Sequence, residues 1–164
     1  MIEVNYSWET RRYPRPNRRL FERFAVRAAH FARLPETSDW GFNLRFVGDR
    51  AMTAANRDFV GHIGTTDVIT FSYFDAPETL FPGDPAVELI ICCDAARREG
   101  QKRAGESDYS REMALYVVHG LLHSAGEDDL APETRRSMRR REREVMGQLV
   151  KEFDFAGIFP PPEC

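Results

Sequence analysis

The stretch Leu115-Tyr-Val-Val-His-Gly-Leu-Leu-His123 is nearly continuous apolar surface interrupted by two histidines. A helix that is apolar on almost every side has to lie inside a protein, so the rest of the chain must wrap around this segment. Burying imidazoles there is costly unless each has a partner. His119 and His123 stand four residues apart and therefore project from the same helical face, where both rings can meet one metal ion. Gly126 follows, a residue suited to ending a helix through a left-handed turn. Asp129 comes three residues later, where a returning chain could supply a third ligand. Two imidazoles and one carboxylate leave a position open for water, which is how catalytic zinc sites differ from structural ones. Glu127 and Asp128 are carboxylates within reach of the same point, or members of a solvated acidic turn.

At 164 residues the chain suits one domain with a real hydrophobic core. No apolar run approaches membrane-spanning length. Met1-Ile-Glu-Val-Asn-Tyr6 reads as a half-polar strand rather than a signal peptide, which favours the cytoplasm. Of the three cysteines, Cys92 and Cys93 are adjacent and Cys164 is terminal, so neither a disulfide framework nor a cysteine-based zinc site is supported. The net charge of −3 does not advertise a nucleic-acid binder. Local charge says more: Arg11, Arg12, Arg15, Arg18 and Arg19 cluster at one end, and Arg135, Arg136, Arg139, Arg140, Arg141 and Arg143 at the other. Each cluster is either a phosphate-contacting patch or a solvated helix face with acids such as Glu142 and Glu144 nearby.

Patterning predicts a strand over 2–7, then a break at Pro14 and Pro16. An amphipathic helix follows from Arg19 to Arg33, with Leu20, Phe21, Phe24, Ala25, Ala28, Phe31 and Ala32 at helical spacing. A second strand spans Phe42 to Val47, a turn falls at Gly48-Asp49, and a short helix runs from Arg50 to Phe59. Strands are expected over Thr66–Tyr73 and Val87–Cys93, the second central because of its unbroken apolar run. Asp94 is placed as N-cap of a helix reaching Arg103, Ser107 or Asp108 starts the histidine helix, and a last helix runs from Pro132 to Lys151. The final ten or so residues are expected to be extended or disordered. The order of elements gives a single metallohydrolase-like α+β domain: a small mixed four-stranded sheet, about five covering helices, and a metal site at the end of a central helix.

Three ordered segments together resemble the YbeY family of bacterial rRNA-maturation endoribonucleases. His119-Gly-Leu-Leu-His123-Ser-Ala-Gly126-Glu-Asp-Asp129 is similar to the family's His-Gly-x-Leu-His hallmark with its following glycine and third ligand. Asn56-Arg-Asp-Phe-Val-Gly-His62 and Thr65-Thr-Asp-Val-Ile-Thr-Phe71 resemble a second family segment, and Val87-Glu-Leu-Ile-Ile-Cys92 its Gly-Asp-Ile strand. The resemblance runs from about residue 2 to 150. Departures are specific. Asp129 stands where the commonest third ligand is His, Ser124 where Leu follows the second His, Glu127 where Tyr precedes the acidic residue, Val87-Glu88 where the family has Gly-Asp, and Val60 where many members place an Arg.

The resemblance implies a zinc-dependent endoribonuclease specific for single-stranded RNA, acting in rRNA maturation (16S 3′ end processing) and ribosome quality control, with the 30S subunit as partner. In that reading His119, His123 and Asp129 hold zinc or, with the harder carboxylate, manganese. His119 and His123, with His62 and Arg57, form the catalytic set, while Thr65 and Thr66 offer donors to phosphate. Either water or the RNA 2′-hydroxyl serves as nucleophile. Glu88, a carboxylate on the central strand, either bonds a histidine's second ring nitrogen or sits at a solvated edge. Two rival readings remain. A metallopeptidase shares the His-x3-His-x2-Gly-x2-ligand spacing, but Gly120 stands where those enzymes carry their general base. A non-catalytic ribosome-associated module with a structural metal is favoured by the Val60 and Glu88 departures.

Overall fold

The computed structural model describes residues 2–36, 39–74, 81 and 84–163; Cys164 lies outside them. Four strands, β1 (Ile2–Trp8), β2 (Trp40–Val47), β3 (Val68–Ser72) and β4 (Pro85–Cys92), form one sheet in the order β1-β2-β4-β3. β1, β2 and β4 run parallel, and β3 returns antiparallel along β4. The apolar β4 is therefore central, as its composition requires. Around the sheet lie α1 (Arg18–Phe31), α2 (Asp49–Ala55), α3 (Cys93–Lys102), α4 (Tyr109–Ser124), α5 (Pro132–Glu152) and the short α6 (Phe155–Ile158). The result is the expected single α+β domain with a mixed four-stranded sheet.

Side chains alternate across the sheet and so define its two faces. Tyr6 and Phe46 turn their rings onto Phe21 of α1 at centroid distances of 5.1 and 5.6 Å. Leu89, in register with Leu44, points the same way and meets α4. A Cβ on Gly120 would fall 2.5 Å from Leu89 Cδ2, so this glycine lets the histidine helix lie against the sheet. On the opposite face Phe59 packs edge-on against Phe71.

Two local expectations are corrected. Asp94 is not the cap of α3, because β4 runs straight into that helix at Cys93. Its carboxylate instead accepts the Asp49 backbone N–H at 2.8 Å and the Tyr13 hydroxyl at 2.5 Å, satisfying an orphan donor at the start of α2. The last ten residues are also more ordered than expected. Asp154 caps α6, and Phe155, Ile158 and Phe159 are buried, with Phe159 against Phe21 and Phe24. The burial of these three apolar side chains outweighs the prolines that follow them.

Candidate metal centre

α4 begins at Asp108, whose side chain accepts the Arg111 N–H, and ends after Ser124. The chain then turns at Gly126, which has φ of +102°, a conformation glycine adopts at no steric cost. The Gly126 and Glu127 amides bond back to the carbonyls of His123 and Leu122. That closure returns Asp129 to the helix face carrying the histidines. Arg135 at the start of α5 fixes it from the other side, its Nε donating to the Asp129 carbonyl at 3.2 Å.

The three expected ligands converge. His119 Nε2 and His123 Nε2 are 3.1 Å apart, and they lie 3.7 and 3.8 Å from the same oxygen, Asp129 Oδ2. Zinc held tetrahedrally at 2.0–2.2 Å sets its ligand atoms roughly 3.3–3.6 Å from one another, so this donor set fits one such ion with little adjustment. Two imidazole lone pairs aimed at a common point also repel unless a cation or proton lies between them. The side chains remain partly accessible, at 23%, 27% and 42% for His119, His123 and Asp129, so the site is open on one side.

His119 has a further partner that sequence reasoning missed. Its Nδ1 meets Glu142 Oε1 of α5 at 2.5 Å. This bond keeps the proton on Nδ1 and leaves Nε2 free to bind metal, the usual role of a carboxylate behind a metal-ligating histidine. Burial opposes charge on this ring, but the Glu142 hydrogen bond and the carboxylates of Glu142, Asp67 and Asp129 outweigh it and raise its pKa above the ordinary histidine value. Nothing local marks Glu142 in the sequence, since it meets His119 only because α5 packs along α4. Glu88, for which this role is one of two readings, lies on the other side of the sheet: Leu89 faces α4, so its neighbour Glu88 faces away.

A cleft of about 450 Å³ opens over the three ligands, walled by Val68, Thr70 and Ser72 of β3 and by the loop from Asn56 to Asp67. α2 continues into that loop as a π-helical turn, Asn56–Val60, an irregularity frequent at functional sites. Asn56 is buried; its Nδ2 donates to Gly64 O at 3.0 Å and its carbonyl accepts the His62 N–H at 3.2 Å, which fixes the loop's path. His62 and Thr66 accordingly line the cleft with the ligands. Thr65 does not. Its hydroxyl turns to Asp49, 3.3 Å away, which Arg98 holds by two bonds. Arg57 is also outside the cleft, because the helical turn that points Asn56 and Val60 inward points it outward, where it pairs with Asp58. The structure thus places Thr65, Arg57 and Glu88 outside the lining of the cleft. Among the described residues lining the cleft there is no Lys or Arg, and Asp67 and Asp129 make it acidic.

Gly120 bears on the peptidase rival. Its Cα faces Leu89 and the sheet, so a general base in its place would point into the core and not at the ligands.

The family described as Endoribonuclease YbeY matches this chain over residues 4–150. The chain belongs to the YbeY family. Curated relatives carrying the name Endoribonuclease YbeY include those of Chlorobium luteolum, 34% identical over 65% of this chain and 72% of the relative. That of Elusimicrobium minutum is 38% identical over 58% and 65%, and that of Pelotomaculum thermopropionicum 38% identical over 65% and 70%. The solution structure of TM1509 from Thermotoga maritima shares the fold, with a TM-score of 0.54, 21% identity and 93% coverage of both chains. Within the YbeY framework Val60, where many members are expected to carry Arg, lines the cleft itself, so this departure falls at the site and not on a remote surface.

Proposed function

We propose that this YbeY-family chain is a zinc-dependent endoribonuclease that cleaves single-stranded RNA in rRNA maturation, at the 16S 3′ end, and in ribosome quality control in the cytoplasm. The observation that carries the reading is the convergence of His119 Nε2, His123 Nε2 and Asp129 Oδ2 within 4.8 Å of one another beneath an open cleft. When bound there, zinc supplies Lewis acidity toward a phosphoryl oxygen and offsets the charge that grows on it in the transition state. The protein's own residues do the rest. Glu142 holds His119 in one tautomer and orientation. The Asn56-anchored loop sets His62 at the rim, where its imidazole is within the cleft to exchange a proton with the attacking or leaving oxygen. The Thr66 hydroxyl is a neutral donor for a phosphate oxygen. Manganese is the second candidate ion, since a carboxylate ligand is harder than an imidazole.

The test is cleavage of a labelled single-stranded RNA by the wild type and by His119→Ala and His123→Ala, with metal content measured on each. We expect one zinc per wild-type chain, none in the variants, and loss of cleavage. Full activity in both variants would overturn the proposal. The lack of Lys or Arg among the described residues lining the cleft, together with Val60, favours one alternative, a ribosome-binding module whose metal is structural. In that case chelation would unfold the domain, whereas a catalytic ion leaves the fold standing and removes cleavage.

A further inference from the structure

Among the described residues lining the cleft there is no Lys or Arg, yet a strand of RNA brings a charge on every phosphate. Of the two arginine clusters, the one on α5 lies on the helix that packs against α4 and its histidines. Arg136, Arg139, Arg140 and Arg143 stand at i, i+3, i+4 and i+7 on α5 and so share one face. All four are exposed, and none has an ion pair or hydrogen bond among the described residues. Of the acids within reach of this face, Glu142 is engaged with His119 and Glu144 with Arg141, which leaves Glu133, three residues before Arg136, against four arginines. Like charges at these spacings, in excess over the one acid beside them, oppose helix formation, so the stripe works against stability.

Three consecutive residues orient it. Arg141 reaches the Phe31 carbonyl at the end of α1, 2.8 Å away. Glu142 points to His119 on α4. Arg143 must then lie on the flank away from α1. α5 packs on α4, which carries His119 and His123, and α4 packs on β3, which walls the cleft. The N-terminal end of α5 meets the site directly through Arg135 and the Asp129 carbonyl.

We infer that the Arg136–Arg139–Arg140–Arg143 face of α5 is the track for the phosphate backbone of the single-stranded RNA as it leaves the metal cleft. The inference rests on the endoribonuclease reading for its substrate and adds where the strand is held. Guanidinium groups suit it, being planar, always charged and able to bond phosphate by two donors. The stripe's length of about 10 Å along the helix gives it reach beyond the cleft.

The experiment compares the wild type with the combined variant Arg136→Gln, Arg139→Gln, Arg140→Gln, Arg143→Gln and with the corresponding four-fold Arg→Lys protein. The binding probe is a fluorescent oligouridylate, titrated at several salt concentrations, and the cleavage substrates are a long single strand and a trinucleotide. We expect the Gln protein to melt no lower than the wild type. Its slope of log affinity against log salt should flatten by up to about 3, and its KM for the long strand should rise by roughly 10²-fold. The preference for the long strand over the trinucleotide should shrink with it, and the Lys protein should recover most of the salt dependence. A wild type that cuts RNA while the Gln protein keeps the same salt slope and KM overturns the track and leaves the stripe to an acidic protein partner. A wild type that binds with the steep slope, lost in the Gln protein, but never cuts preserves the track and defeats the endoribonuclease reading instead.

Discussion

Replacing Glu142 with Gln keeps the shape of the group behind His119 and removes its charge. In the folded protein the pair is at 2.5 Å, with side chains only 18% and 23% exposed, so solvent screens it weakly. A charge-assisted hydrogen bond in such a setting is roughly twice as strong as a neutral one. Outer carboxylates on metal-ligating histidines typically contribute 10–100-fold in metal affinity, about 1.4–2.7 kcal/mol. We expect Glu142→Gln to weaken zinc by that amount, and Glu142→Ala to weaken it more because the ring is then free to turn. The effect depends on pH with a definite sign. Glu142 also raises the pKa of His119, so in the wild type a proton competes with the metal up to a higher pH. The variant loses both the help and the competition. The deficit should therefore be largest well above the histidine range and shrink as the solution is acidified. Competition against a chromogenic chelator across pH measures it. Affinities within twofold of the wild type at alkaline pH, or a deficit that grows on acidification, would refute the reasoning.

Gly120→Ala should destabilise the fold even though alanine is the better helix former by about 1 kcal/mol. The added Cβ meets Leu89 Cδ2 at 2.5 Å and Cγ at 3.2 Å, and overpacking of this kind costs about 1–3 kcal/mol. Chemical denaturation should show the loss, and the cost of Gly120→Ala should vanish in a Leu89→Ala background; equal cost in both backgrounds would show the contact to be irrelevant. Glu112 is almost fully buried, and burial pushes its carboxyl above the ordinary value of 4.5 despite the Ser107 hydrogen bond and Arg103. The folded state therefore holds this proton more tightly than the unfolded chain, and its contribution to stability falls as pH rises from the ordinary carboxylate range through the raised value. Glu112→Gln should remove that decline from thermal melts taken across pH, and an unchanged pH profile would count against it.

Legibility followed the range of the interactions. The strands and helices came through because alternation and helical spacing are local, and β4 was central because only a strand buried on both faces tolerates an unbroken apolar run. Asp94 was misplaced since its signal, an acid at a strand-to-helix junction, is the same whether it caps its own helix or the one beside it. The C-terminal turn was missed because three prolines and a short length hide a segment whose stability comes from Phe159 docking on Phe21 and Phe24.

The convergence of the three candidate ligands follows from sequence alone: one helix face and one glycine-bounded turn span only eleven positions, so backbone geometry dictates where His119, His123 and Asp129 meet. Everything that joins distant parts of the chain waited on the tertiary structure. Packing of α5 on α4 chose Glu142 over Glu88 as the carboxylate behind His119, and the pleat of β4 turned Glu88 away. The tether from Asn56 to Gly64 admitted His62 and Thr66 to the cleft, while the turn before it sent Arg57 outward. The physical reason is that short-range spacing is set by covalent geometry, whereas which helix lies against which is decided by the burial of whole faces.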